Sequence, residues 1–473
     1  MENRVKAILV AIVLVVVALS GYLVVVSLAP RTSTHLVSST ASCPKPGSSG
    51  TGSGTDGNWT TYHGNNSLIG GDELTGAISS VAQMWTAPTS VEGQVYAEPL
   101  VCGDTVFVAT EEDWVYAVNA TDGAIRWQTN LGTPVPGSAL PCGDINPSGI
   151  TSTPVIDVAT NTLYVVAYLD LSPLQHVLFG LDVTNGSVTY RVGVNPPLPN
   201  PDTEQQRGAL ALADGMVYIP YGGLFGDCGT YHGWVIGVPT NGSTATINYQ
   251  VPSVNQGGIW GASGPAVAAN GDLFVTTGNS ASTTTFDFGD SVIELSPTLQ
   301  ELQYFAPTNW AYLNGHDVDL GSMGPIVLPN GDVFQAGKEG VGDLLSGADL
   351  GGVGGQIYNE SICAGAYGGA ARVGNALLIP CTNGVVKLIV EATNFSIAWT
   401  TANFDAGSPI VTGDVVWAAN ISTGELMGFN FSTGQPMFSF PLGSVDHFIT
   451  PAAAPGALFV AAGDELYAFT LTG

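Results

Sequence analysis

A short unit recurs along residues 99–473: a small or apolar pair, a Gly-Asp or Asn-Gly turn, then a run rich in β-forming residues. Residues 99–132, PLVCGDTVFVATEEDWVYAVNATDGAIRWQTNLG, show it whole. They divide into four strands (PLV, TVFVAT, WVYAVNA and AIRWQTN), and the alternation with Gly/Asp turns predicts half-buried antiparallel pairing. Comparable units open near Ser152, Arg207, Ser263, Ser322, Tyr367, Ser408 and Thr450. Eight units at intervals of roughly 40–60 residues, four strands each where complete, predict an all-β, eight-bladed β-propeller. The last unit stops after its third strand. Residues 81–86 (VAQMWT) are the expected source of its outer strand, closing the ring.

Composition fits such a ring and removes other classes. Hydrophobic residues make up 45% and charged residues 10%, so a large core is available and disorder by composition is excluded. Ten Lys+Arg stand against 38 Asp+Glu, a net charge of −28, which excludes phosphate-backbone binding and so nucleic acid. Ahead of the repeats, residues 7–29 are uncharged and long enough to cross a bilayer as one helix. A signal peptide is the competing reading. Its apolar region spans only about 7–15 residues, and Pro30 follows the best small-residue site, Ser27-Leu28-Ala29. Arg4 and Lys6 precede the run, so residues 1–6 read as a cytoplasmic stub, 7–29 as a transmembrane anchor, 30–57 as a Ser/Thr/Gly/Pro-rich linker and 58–473 as an external propeller. Nine Asn-x-Ser/Thr sequons would accept glycans there, although a chain rich in these residues produces them by chance. Scarce charge and few cations also suit an acidic exterior.

The stretch AVNATDGAIRW in the first unit resembles the pyrrolo-quinoline quinone (PQQ) repeat. Quinoprotein alcohol dehydrogenases share that repeat with non-catalytic propellers of the outer-membrane assembly lipoprotein type. It implies the fold and leaves the activity open. Units four and five are more similar to the dehydrogenases, in GGIWG (257–261), TTGN (276–279) and GDSVIEL (289–295). The resemblance implies that Trp260 stacks on the quinone and that Asn279 ligates calcium. HDVDLGSMGPIVL (316–328) places Asp319 in register with the catalytic base, and QAGKEG (335–340) places Lys338 against the quinone oxygens. Such chemistry asks for a stacking plane, a cation to polarise the carbonyl and a carboxylate to take the alcohol proton. Trp260 and Asp319 each precede a first strand, and Asn279 and Lys338 each follow a second strand. In antiparallel blades these four positions share one face, ringed around the channel.

Two departures stand beside these matches. Where the dehydrogenases carry a calcium-binding Glu, this chain has YGGLFGDCGTYHG (221–233), with Asp227 as a substitute about one residue out of register. In CGDINPSGI (142–150), Cys142 is followed by Gly143, so the family's disulfide between adjacent cysteines cannot form. Each matched residue also has a plainer role: a packed aromatic for Trp260, a turn former for Asn279, a structural acceptor for Asp319, a loop cation for Lys338. His232, His316 and His447 lack metal-ligand spacing. The glycine run at 347–356 lacks a phosphate loop's Lys-Ser/Thr, and no Gly-x-Ser-x-Gly elbow occurs.

Six cysteines in an external body favour disulfides. Cys363 precedes a first strand and Cys381 ends the adjacent second one; Cys142 and Cys228 hold similar positions in neighbouring units. Cys102, on the opposite face, has only the linker residue Cys43 as a partner. Two functions fit this sequence. The favoured one is a non-catalytic propeller, membrane-bound through its N-terminal helix, that binds a surface protein or glycan. The alternative is a PQQ- and calcium-dependent alcohol or sugar dehydrogenase.

Overall fold

The computed structural model describes Cys43 and residues 58–71, 76–198 and 201–473. The expected anchor at 7–29 and nearly all of the linker lie outside the described residues. Among those described, no helix is long and apolar enough to cross a membrane.

The described strands form eight antiparallel sheets, one per repeat. Blade 1 holds Leu100–Cys102, Thr105–Ala109, Trp114–Asn119 and Ile125–Asn130. Blades 2 to 7 follow at 155–193, 204–250, 266–306, 326–361, 371–400 and 410–441. Blade 8 takes three strands from 452–472 and its outer strand, Ser80–Gln83, from the other end of the chain, with Ser80 opposite Thr472 and Gln83 opposite Phe469. This is the closure expected of VAQMWT. It stitches the ends of the ring through main-chain hydrogen bonds.

The expectation of half-buried strands needs correction for the middle of each blade. Thr105–Ala109 is buried at every position, as are Ala376–Cys381 and Val415–Asn420. Each sheet is covered by a neighbour on both faces, so these strands are apolar on both sides rather than alternating. Core clusters sit between successive blades: Phe107, Trp127 and Val165 between blades 1 and 2, and Trp234, Ile236 and Tyr164 between 2 and 3. Alternation is kept in outer strands such as Val188–Gly193 and Pro436–Pro441. First strands of neighbouring blades touch one another and so line the channel.

One feature has no counterpart in the repeat. Residues 58–71 cross the channel mouth and hydrogen-bond to six of the blades in turn. Trp59 pairs with Val101, Thr60 accepts from Ile156, Asn66 bonds Leu212 and Val267, Ile69 accepts from Arg372, and Gly70 accepts from Val411. Tyr62 Oη reaches Ser408 Oγ at 3.0 Å and Thr450 Oγ1 at 3.2 Å. This segment plugs the channel. The glycine run at 347–356 also finds a place, with Gly352–Val353 adding a parallel strand to blade 4. Five sequon asparagines (Asn119, Asn185, Asn241, Asn394 and Asn430) stand where the third strand of a blade turns into the fourth. Asn119, Asn185, Asn241 and Asn430 cap those turns through their side-chain oxygens, so the repeat's own turn chemistry accounts for them.

Candidate functional site

Strands and their connections bring every expected site residue to one place. Trp260, Asn279, Asp319, Lys338 and Asp227 all line a single cavity of about 660 Å³ on the face away from the plug. Arg207 and Phe448 form part of its wall and also line a small void that Tyr62 shares. The cavity is therefore blind, its inner end stopped by the plug.

The residues meet because glycines let backbones approach. Gly278 precedes Asn279 at the end of blade 4's second strand; a Cβ there would lie 2.7 Å from Trp260 Nε1 and 2.8 Å from Asp319 Oδ1. Gly337 plays the same part before Lys338, since a Cβ would meet the Asp319 carbonyl oxygen at 2.5 Å. With both positions open, Asn279 N donates to Asp319 Oδ1 at 2.6 Å and Lys338 N donates to Asp319 O at 2.9 Å. Asp319, from the approach to blade 5, is thus held by the strand ends of blades 4 and 5.

The charges close on themselves. Lys338 Nζ lies 2.6 Å from Asp319 Oδ2 and 2.8 Å from Asp317 Oδ1, and 5.6 Å from the centre of the Trp260 ring. Burial disfavours the Lys338 ammonium, but the carboxylates of Asp319 and Asp317 outweigh it and hold its proton above the usual lysine range. Burial raises the Asp319 carboxyl while Lys338 pulls it down, with the net upward. Behind it, Asp290 is buried and accepts from Leu320 N at 2.8 Å; burial, then the nearby Asp319 charge, lift it well above the carboxylate range.

Asp227 lies in the blade 3 loop, in a left-handed conformation with φ of 52°, and its Oδ1 accepts from Tyr231 Oη at 2.5 Å. The next residue, Cys228, is bonded to Cys142. Cys363–Cys381 and Cys43–Cys102 are likewise joined, so the three pairs reached from strand positions are the ones present. Two further residues of the cavity carry no motif in the sequence: Arg207, which opens a repeat, and His447, which lacks metal-ligand spacing. Arg207 stacks over Phe448 with 5.6 Å between guanidinium and ring centre, and Asp144 stands 3.8 Å from Arg207 and 3.6 Å from His447 Nε2. The scarcity of cations was the available signal: Arg126, Arg191, Arg207, Lys338, Arg372 and Lys387 are the only Lys/Arg after the linker, and two of them line this cavity.

The donor set does not fit calcium. That ion asks for six or more oxygen ligands including carboxylates. Among the described residues no group of three or more His, Cys, Asp or Glu is placed to hold a metal. Asp319 is instead taken by Lys338 and the Asn279 main chain, and Asp227 by Tyr231. A flat ring system would find a stacking surface on Trp260. The lining, however, carries five aspartates against Arg207 and Lys338, which disfavours a polycarboxylate such as PQQ.

The chain is an eight-bladed β-propeller, similar over part of its length to proteins that carry the PQQ repeat. Residues 71–288 match the sequence profile of the outer membrane protein assembly factor BamB. Among solved structures it is similar to the quinohemoprotein alcohol dehydrogenase of Comamonas testosteroni, with a TM-score of 0.65 at 14% identity over 88% of this chain and 81% of that one. A europium-containing methanol dehydrogenase gives 0.66 at 16% identity, over 88% and 98% of the two chains. BamB from Moraxella catarrhalis gives 0.56 at 13% identity, over 83% and 100%. At such identities the likeness is one of fold. No curated protein matches the sequence.

Proposed function

We propose that this chain is an extracytoplasmic PQQ-repeat propeller that binds a ligand in its blind cavity without quinone chemistry, as a binding or scaffold protein tethered by residues 7–29. The supporting observation is the ion cluster of Lys338 with Asp319 and Asp317. The carboxylate that would serve as base already has a cation at 2.6 Å, and among the described residues no group of three or more His, Cys, Asp or Glu is placed to hold a metal. Three disulfides support a location outside the cytoplasm. Surface proteins and glycans remain the partner classes for the loops.

A second reading, a PQQ- and calcium-dependent alcohol or sugar dehydrogenase, draws on the convergence of Trp260, Asn279, Asp319 and Lys338 in one cavity. One experiment separates the two. The full chain is mixed with PQQ and calcium, and its melting temperature and dye reduction with short alcohols are followed. The binding reading expects neither to change. Stabilisation by PQQ with alcohol-dependent dye reduction would overturn it.

A further inference from the structure

The cavity's charges do not cancel, and the imbalance points to a class of ligand. Lys338 is neutralised by Asp317 and Asp319, and Arg207 faces Asp144. Two further lining carboxylates, Asp227 and Asp405, form no ion pair among the described residues. The surplus is therefore acidic, within a body whose net charge is itself strongly negative.

Aromatic rings gather at one of these carboxylates. Phe225, two residues before Asp227, lines the cavity with 65% of its surface exposed, which is unusual for a large apolar side chain in a pinned loop. Tyr231 donates its hydroxyl to Asp227 and packs over Gly223, where a Cβ would meet its ring at 2.5 Å. The Cα and Cβ of Trp260 lie against the adjacent Gly222, and its ring also lines the cavity. The Cys142–Cys228 bridge fixes this loop, so rings and carboxylate are positioned before any ligand arrives. A carboxylate beside the exposed Phe225 ring, with the Tyr231 ring also in the cavity wall, recognises a weakly hydrated cation through Coulomb attraction and the ring quadrupoles together. A hard inorganic cation asks for a cage of several oxygen ligands, whereas an organic ammonium needs only one carboxylate and apolar or aromatic surface.

Building on the binding reading above, we propose that the cavity takes an organic ammonium ligand, its cationic head seated at Asp227 among Phe225, Tyr231 and Trp260. The cavity volume leaves room for a larger body behind the head. Asp405, on the far wall, adds to the attracting field.

The test is calorimetric titration of the full chain at low salt with three probes of one shape. They are choline, its uncharged analogue 3,3-dimethylbutan-1-ol, and the anion 3,3-dimethylbutanoate. Choline is expected to bind about tenfold more tightly than the alcohol, the anion not measurably, and added salt is expected to weaken choline. Asp227→Asn keeps an oxygen for Tyr231 and is expected to weaken choline about fivefold or more, with its melting temperature checking the fold. The proposal is overturned if the alcohol matches choline, if the anion binds best, if Asp227→Asn leaves choline unchanged, or if no probe binds. PQQ with calcium is titrated separately, so failure of the binding reading is told apart from failure of the cation proposal.

Discussion

Glu111→Gln isolates one buried charge and should stabilise the protein in alkali while leaving it unchanged in acid. Glu111 follows the second strand of blade 1, is 2% exposed, and accepts from Gly149 N at 2.7 Å through Oε2. Burial pushes its carboxyl from 4.5 to about 7, opposed by Gly149 N–H, Thr151 and Arg207 and assisted by Asp446. The folded state thus holds this proton more tightly than the unfolded one. The associated stability is complete below pH 4.5, falls as pH rises toward 7, and is gone above it. The gap amounts to about 3 kcal/mol at pH 8, at roughly 1.4 kcal/mol per tenfold change in proton affinity. An unfolding entropy of about 2 cal/mol/K per residue over a propeller of roughly 400 residues converts that to about 3–4 °C. Glutamine keeps the oxygen that Gly149 needs and cannot ionise. Scanning fluorimetry at pH 4.5 and pH 8 should show the variant and wild type melting together in acid, with the variant several degrees higher in alkali. An equal difference at both values would refute the reasoning, because the effect would then be packing and not charge.

Two further outcomes follow from the same geometry. Lys338→Met leaves Asp319 and Asp317 without their cation and should cost roughly 3 kcal/mol at pH 8. The loss should shrink as pH falls and the raised Asp319 carboxyl takes up its proton, and adding Asp319→Asn should recover much of it; a loss that does not change with pH would contradict this account. Deleting residues 58–90 removes both the plug and the closing strand, exposing Glu465–Thr472 as an unpaired edge. Cooperative melting should disappear, and a deletion protein that melts like wild type would disprove the closure.

The blades were legible because each repeat writes its own turns. Cys102-Gly103-Asp104 and Thr121-Asp122-Gly123 mark strand ends in blade 1 that the structure places within a residue or two. The missing fourth strand of the last unit was equally informative, since an open ring must take a strand from elsewhere. The plug was not legible. Residues 58–71 have no periodicity, and they are held by main-chain and side-chain hydrogen bonds to blades far along the chain, Tyr62 to Thr450 among them. The site was half legible. Positions relative to strand ends put Trp260, Asn279, Asp319 and Lys338 on one face, but no spacing could show that Lys338 turns onto Asp319 and Asp317. Arg207 was hidden because, although it stands before a first strand, Ala211–Ala213, as Trp260 and Asp319 do, no matching motif surrounds it.

The acid preference argued for Glu111 extends to the chain as a whole and bears on the cavity. Burial also lifts Glu204 to about 8 and Asp343 to about 7, and holds Glu98, Asp113 and Asp290 well above the carboxylate range. Each group destabilises the fold as pH rises through these values, so the sum favours folding in acid. This gives the scarcity of basic residues a physical sense. Few cations are needed to offset buried carboxyls that keep their protons. The cations that do remain in the cavity then have particular partners, Lys338 with Asp317 and Asp319, Arg207 with Asp144. Asp227 is different in kind: it stands in the loop beside the exposed Phe225 ring, and its one side-chain partner, the Tyr231 hydroxyl, needs an oxygen and not a charge.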